Sequence, residues 1–241
     1  MNLLRTISLL SQFLARPIRG RTHAERLESF YGYQAGDYDA FRRSFLRGRD
    51  ELAGRLTFPE GGRWCDLGCG TGYLLDAAGP AARKLAAIEL VDLCRPLLRM
   101  ADARIAAGAW ANARTVRADI ARWRPDEPVD VVTFSYALTM TPHWFAAIDA
   151  AREMLRPGGQ IGVVDFHVVR RHPPVPGPVR QSWLTRAFWP AWFDIDEVHP
   201  NPDHLPYLAS RFEMSWFEEG RCRVPGMPWL RPPFYCFIGR R

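Results

Sequence analysis

The segment Asp66-Leu67-Gly68-Cys69-Gly70-Thr71-Gly72 constrains this chain more than any other. Three glycines at alternate positions follow a short apolar run, Arg63–Leu67, which reads as a strand. Glycine has no Cβ, so such a turn lets backbone come close to a ligand. In an open parallel sheet the ligand lies beyond the carboxyl ends of the strands, where this turn would sit. The spacing excludes two phosphate-binding readings. A dinucleotide fingerprint needs a third glycine at position 73, counted from Gly68, or at 75, counted from Gly70, and those positions hold Tyr73 and Leu75. No Gly-Lys-Ser/Thr follows, which removes a P-loop.

From Arg63 onward, short apolar runs alternate with helical stretches, the pattern of a mostly parallel sheet with helices on both faces. The spacing predicts strands at Arg63–Leu67, Leu85–Val91, Ala113–Arg117, Val129–Phe134 and Gln160–His167. Helices are expected over Arg95–Ala107 and Trp144–Leu155, and Arg156-Pro157-Gly158-Gly159 should stop the second and turn into a strand. The proline-rich stretch Pro173–Pro178 reads as a loop. An aromatic insertion follows, with Trp183, Phe188, Trp189, Trp192 and Phe193. Arg211–Phe217 and Phe234–Ile238 are strand-like and are expected to pair as a C-terminal antiparallel hairpin, for seven strands in all. The expected organisation is therefore a basic amphipathic segment at 1–21 and one domain over 22–241, with an aromatic-rich cap at about 173–208.

Composition narrows the function. The formal net charge is +6, and Lys84 is the only lysine, so arginine carries nearly all of the positive charge. Guanidinium forks suit phosphate, and an arginine-biased genome gives the same composition. The arginines are scattered and no nucleic-acid module is visible, so nucleic acid is not an expected partner. Five cysteines without metal-ligand spacing argue against a disulfide framework or a zinc site and for a reducing, cytoplasmic setting. No metal is expected. No run approaches the ~20 apolar residues of a membrane-spanning helix. Near the N-terminus Leu3, Ile7, Leu10 and Leu14 recur at helical spacing among Arg5, Arg16, Arg19 and Arg21. That pattern fits a helix lying on an anionic membrane, a helix packed on the domain, or a targeting segment.

Two carboxylates compete at the end of the second strand. A carboxylate there can accept both ribose hydroxyls of a nucleoside. Asp92 stands about 20 residues beyond the glycine turn, as that role wants, and Glu89 is the competitor. Asp119 ends the third strand, where a helix N-cap is the ordinary reading. Asp130–Met140 covers the fourth strand and its exit loop.

Taken together, Asp66–Gly72, Glu89–Leu93, Arg117–Ile120 and Asp130–Met140 resemble class I S-adenosylmethionine-dependent methyltransferases, from about Glu60 to His167. The resemblance implies a Rossmann-like fold with S-adenosylmethionine as methyl donor. It gives Asp66, Gly68, Gly70 and Gly72 to the methionine side, Asp92 and Leu93 to the ribose, and Asp119 and Ile120 to the adenine. It sets Ser135 and Tyr136 beside the transferable methyl. Many relatives carry histidines at positions like Thr139 and Met140, so an obvious general base is missing here.

A closer resemblance, from Phe30 onward, is to the bacterial betaine-lipid enzymes that methylate diacylglyceryl-homoserine. It rests on Phe30-Tyr31-Gly32, Gln34–Arg42, Thr133–Met140, Val163–Phe166, Ser182–Arg186, Phe188–Phe193 and Pro202–Leu208. It implies three successive N-methylations of one lipid headgroup at the inner face of the membrane, with the enzyme that makes the homoserine lipid as a partner. Within it Tyr38 and Arg42 stand as cofactor-side candidates, and Tyr31, Tyr136 and His204 as catalytic ones. Trp183 and Arg186 are candidates for substrate binding. Arg42, Arg180 and Arg186 are candidates to pair with a headgroup carboxylate, and Tyr31, Tyr38, Tyr136 and Trp183 to box the quaternary ammonium. His204 and Asp203 would orient or deprotonate the amine, or hold the Pro-Asp-His-Leu-Pro segment in shape. Phosphatidylethanolamine, another amino lipid or a quinone are the alternative acceptors. The non-enzymatic alternative is a membrane-associated scaffold with the same fold.

Overall fold

The computed structural model describes residues 19–31, 45–173, 177–225 and 227–241. The N-terminal segment 1–18, Tyr38 and Arg42 therefore lie outside the described residues. At the centre is a seven-stranded sheet of β1 (Arg63–Leu67), β2 (Ala87–Asp92), β3 (Ala113–Arg117), β4 (Val129–Ser135), β5 (Leu155–Phe166), β6 (Glu213–Arg221) and β7 (Pro233–Arg240). The strand order is β3-β2-β1-β4-β5-β7-β6. β1 to β5 pair in parallel, and β7 is antiparallel to both β5 and β6. The expected sheet and C-terminal hairpin are both present.

The order places β1 beside both β2 and β4. The chain runs outward through β2 and β3, then returns across β1 to β4. Such a reversal opens a crevice at the carboxyl ends of the strands. Inner strands of a parallel sheet are covered on both faces, so they read as continuous apolar runs. β4 does so, with Val129, Val131, Val132 and Phe134 all buried. Successive side chains along a strand point to opposite faces. Trp64, Ile88, Leu90 and Val131 accordingly join one apolar cluster, and Cys65, Leu67, Val91, Val132 and Phe134 another.

Helices cover both faces. They are α1 (His23–Tyr31), α2 (Arg49–Arg55), α3 (Tyr73–Ala78), α4 (Arg95–Ala107), α5 (Trp144–Met154), α6 (Trp183–Asp194) and α7 (His204–Arg211). Leu52, Leu74, Leu75, Leu98 and Ala101 bring α2, α3 and α4 onto the first cluster. Ala147, Ile148, Leu205 and Leu208 bring α5 and α7 onto the second. Each such leucine or isoleucine contributes about 1.5–3 kcal/mol when fully buried. Within α4 the buried residues Leu97, Leu98 and Ala101 fall at helical spacing, with proline in the first turn and Gly108 at the end.

Several boundaries differ from the sequence reading; β6, expected at Arg211–Phe217, runs over Glu213–Arg221 because Arg211 still belongs to α7. β2 starts at Ala87 rather than Leu85, because Gly79–Lys84 winds into a 3-10 turn capped by Leu85. Arg156–Gly159 does not separate helix from strand. β5 already begins at Leu155, which pairs with Val129, and the ladder resumes only at Gln160 opposite Val131. The prolines and glycines form a bulge inside the strand, with Gly158 at φ 80°. Among the described residues no helix is long and apolar enough to cross a membrane.

Candidate active site

The glycine turn leaves β1 and is stitched to β2, with Gly68 N and Cys69 N both donating to Val91 O at 2.8 and 3.1 Å. Gly68 has φ 71°, and a Cβ there would stand 2.5 Å from the Ala137 Cβ. Only glycine lets the turn lie this close to the β4 exit loop. Gly70 is different: its φ is 56°, but a Cβ would meet nothing within 4 Å. Gly70 is also one of the residues lining a cavity of about 560 Å³. The cavity's size is that of a small-molecule site.

One wall of the cavity is made by strand ends. Gly68, Cys69, Gly70, Asp92, Leu93, Asp119 and Ile120 all line it. The Asp92 carboxylate accepts Gly70 N through Oδ2 and Cys94 N through Oδ1, each at 2.8 Å. Burial raises its pKa above the ordinary carboxylate value, and the amides oppose that shift. Glu89 is elsewhere: it pairs with Arg114 and accepts from Cys65 Sγ, away from the cavity. Asp119 both lines the cavity and caps its own turn, accepting Ala121 N at 3.0 Å. Asp66 lies behind the turn rather than in the wall. Its Oδ1 accepts from Thr133 Oγ1 at 2.6 Å, and Thr133 in turn accepts from Trp64 Nε1. Oδ2 has no hydrogen-bond partner, and burial pushes the Asp66 pKa up to about 7. Gly72, which precedes α3, is likewise outside the lining set.

The rest of the lining comes from other segments, beginning with the β4 exit that packs against Gly68. Ser135 and Tyr136 line the cavity from the end of β4, and Tyr31 from α1. Tyr136 is a non-glycine residue at φ 54°. Its amide is held by Val164 O at 2.7 Å and its hydroxyl donates to Arg47 O at 2.7 Å. Burial raises its pKa well above 10, so the phenol stays protonated and the ring is what it offers. The Tyr31 hydroxyl is 2.9 Å from Met140 Sδ. Leu46, Met140 and the buried Arg49 complete this side, with the Arg49 guanidinium 3.7 Å above the Tyr73 ring.

His23, Arg49 and His143 were not singled out from the sequence, and all three line the cavity. His23 is in α1, and burial lowers its pKa below the ordinary histidine value, with Asp119 opposing. No spacing motif announces these residues. His143 follows the Thr139-Met140 pair that lacked histidines, three positions beyond it, and that proximity was the available signal.

Five further candidates, Arg180, Trp183, Arg186, Asp203 and His204, are not brought into the cavity. His204 is buried against Trp144, ring centroids 4.7 Å apart, with no hydrogen-bond partner on either nitrogen. Burial holds its pKa down to about 3, so it is a neutral core histidine. Asp203 beside it pairs with Arg170 at 2.6 Å. Trp183 and Arg186 lie on α6, where Trp183 is 72% exposed. Neither lines the cavity. Among the described residues no group of His, Cys, Asp or Glu is placed to hold a metal ion.

The walls fit a nucleoside joined to an amino acid. Asp92 and Asp119 offer acceptors for hydroxyl and amino groups, and the bare backbone of Gly70 leaves room for the linker. A family model described as a methyltransferase domain matches residues 38–217. The ubiquinone/menaquinone biosynthesis C-methyltransferase UbiE of Stutzerimonas stutzeri (strain A1501) is 27% identical over 150 residues, 59% of each chain. The trans-aconitate 2-methyltransferase of Rhizobium rhizogenes (strain K84) is 27% identical over 135 residues, 54% of this chain and 49% of that one. The matched stretch thus spans about half to three fifths of these curated relatives. Among solved structures, the N-methyltransferase NodS from Bradyrhizobium japonicum WM9 in complex with S-adenosyl-L-homocysteine aligns with a TM-score of 0.59 at 15% identity, covering 98% of both chains. The [4+2]-cyclase SpnF aligns with a TM-score of 0.66 at 16% identity, over 94% of this chain and 99% of that one. These structural likenesses share the fold, and the second carries a different named activity.

Proposed function

The chain belongs to the methyltransferase domain family and is an S-adenosylmethionine-dependent methyltransferase, and from that premise we propose that its acceptor is the amine of a lipid headgroup, diacylglyceryl-homoserine, methylated three times in succession. The observation that carries this reading is that Tyr31 and Tyr136 line one cavity together with Met140 and Leu46. Both phenol hydroxyls donate to protein atoms, Tyr31 to Met140 Sδ of the lining itself and Tyr136 to Arg47 O behind it. What they present is aromatic surface, which stabilises a quaternary ammonium through its quadrupole. Such a wall suits a product that gains charge permanence with the third methyl group.

The methyl donor supplies an electrophilic sulfonium, so positioning of the amine accounts for much of the rate. The amine must be unprotonated to attack. By the third transfer the nitrogen has no proton to give, so a tightly held base is not required. The buried Arg49 guanidinium would pair with the headgroup carboxylate. Asp92 would hold the ribose hydroxyls, with Leu93, Asp119 and Ile120 around the adenine. The peripheral-membrane part of the reading rests on the arginine-rich composition and the aromatic insertion.

A quinone acceptor is the second reading, favoured by the sequence relatives that are named for ubiquinone and menaquinone biosynthesis. An acceptor panel separates them. Purified protein with methyl-labelled S-adenosylmethionine is offered diacylglyceryl-homoserine, phosphatidylethanolamine and a demethylated menaquinone in detergent. Label in mono-, di- and trimethylated homoserine lipid is the expected result. Label only in the quinone would remove the amino-lipid reading.

A further inference from the structure

We propose that the start of α6 is a docking face for an anionic lipid bilayer, formed by Val179, Arg180, Trp183 and Leu184. The inference rests on the amino-lipid reading for its purpose and names the partner that reading needs. Its observations are separate. Val179 is 69% exposed, Trp183 72% and Leu184 59%. A surface helix ordinarily shows apolar residues to the core and polar residues to water. α6 shows apolar residues to both. Trp189 and Phe193 are buried, while the exposed positions Trp183, Leu184, Ala187 and Ala191 fall on one side at helical spacing, and the only charges of the helix are the half-buried Arg186 and the terminal Asp194.

The charge along this stretch of chain is basic, with Glu219 accepting Val179 N at 2.6 Å and Asp203 pairing with Arg170 from other elements. Between Asp165 and Asp194 the chain holds Arg170, Arg171, Arg180 and Arg186 and no acidic residue. Arg171 and Arg180 are exposed. Tryptophan favours the headgroup level of a bilayer. Arginine lays its stem along apolar surface while its guanidinium meets anionic phosphates. Ser182 caps the helix by accepting Thr185 N at 3.2 Å, which fixes the first turn that presents Trp183 and Leu184. The inner face of the same helix leads to the acceptor wall, because Phe193 lies 4.3 Å from Phe166 and Phe166 4.7 Å from Tyr136, centroid to centroid. A bilayer seated on α6 would therefore lie behind the wall that receives the headgroup.

The full-length chain is sedimented with vesicles of phosphatidylcholine alone and of equimolar phosphatidylcholine and phosphatidylglycerol. Wild type should favour the anionic vesicles, less so at high salt. The triple variant Val179→Ser, Trp183→Ser, Leu184→Ser should lose about tenfold in partition. Its S-adenosylhomocysteine affinity and thermal midpoint should hold, and Leu184→Ser alone gives a smaller loss if the triple variant folds poorly. Arg180→Ser should lower binding to the anionic vesicles only. Vesicle binding unchanged in these variants, or absent in wild type, overturns the proposal, and in the first case contact through residues 1–18 or another surface replaces it. Loss of vesicle binding without methylation of any amino lipid would sink the acceptor reading and leave the docking face standing. Methylation of a soluble short-chain homoserine lipid with unchanged vesicle binding in the variants would do the reverse.

Discussion

Asp92 and Asp119 reach the cavity from the ends of adjacent strands, within one stretch of alternating strands and helices. Tyr31, Arg49 and Tyr136 reach it from α1, α2 and the exit of β4, three segments that meet only in the folded chain. On the proposed reading the donor side is thus a property of local strand–turn–helix units, and the acceptor side a property of tertiary packing. In such a molecule the donor chemistry is fixed by the sheet, while the acceptor changes with helices and loops laid over it.

The comparison breaks most visibly at Asp92. Its carboxylate organises two backbone amides as well as facing the cavity, and hydrogen bonds to charged groups contribute about 1.5–3 kcal/mol each. Asp92→Ala should weaken S-adenosylhomocysteine binding by about a hundredfold or more by calorimetry. Glu89→Gln, three residues earlier on the same strand, should leave that affinity within about twofold, since Glu89 serves Arg114. Equal losses from both would erase the distinction between the two carboxylates.

Acceptor-wall variants should give the complementary result. Tyr31→Ala and Tyr136→Ala should each lower kcat/KM for the acceptor by about tenfold to a hundredfold, with donor affinity changed far less. Tyr136→Phe should keep turnover and lower stability by about 1 kcal/mol, the worth of the bond to Arg47 O. A Tyr136→Phe enzyme with wild-type stability and no turnover would mean that the hydroxyl acts in the chemistry.

Within the donor wall, the two glycines should behave differently. Gly68→Ala drives a Cβ into Ala137, so it should destabilise the fold itself. Gly70→Ala should cost only about 1 kcal/mol of stability, for a left-handed alanine, but should weaken donor binding because its Cβ enters the cavity.

A further effect concerns pH and His204. Its pKa falls from 6.5 to about 3 on folding, so across that window the native chain binds fewer protons than the unfolded one. Stability should drop as pH falls below 6.5. Asp66 has the opposite sign: its pKa rises from 3.8 to about 7, and its contribution weakens as pH rises through that window. His204→Phe should flatten the acid-side loss in urea midpoints, and Asp66→Asn the loss toward neutrality. An unchanged acid-side slope in His204→Phe would assign that loss to other groups.

The same division explains what could be read beforehand. Periodicity and turn chemistry placed the strands, Asp92 was legible as a strand-end carboxylate, and Asp119, an ordinary N-cap by itself, was singled out only through the resemblance. Asp66 was read together with the glycines, yet its side chain turns to Thr133 behind the turn, a register detail set by pairing between β1 and β4. His204 has a polar side chain in a polar segment, and nothing in that spacing shows that Trp144, sixty residues earlier, would cover it. His23, Arg49 and His143 carry no motif, because their place depends on how α1, α2 and the β4 exit loop close over the sheet. Trp183 looked like part of an ammonium box, and the phase of α6 turned it outward while Trp189 and Phe193 turned in.

The most direct test of the acceptor wall is where a transferred methyl carbon ends up. The chain is given ¹³C-methyl S-adenosylmethionine with a mixture of diacylglyceryl-homoserine and a demethylated menaquinone, and the lipid extract is read by carbon NMR. The account predicts resonances of one, then two, then three methyl groups on nitrogen, ending in the quaternary ammonium. Methyl carbon bonded to the quinone ring, with none on nitrogen, would contradict it.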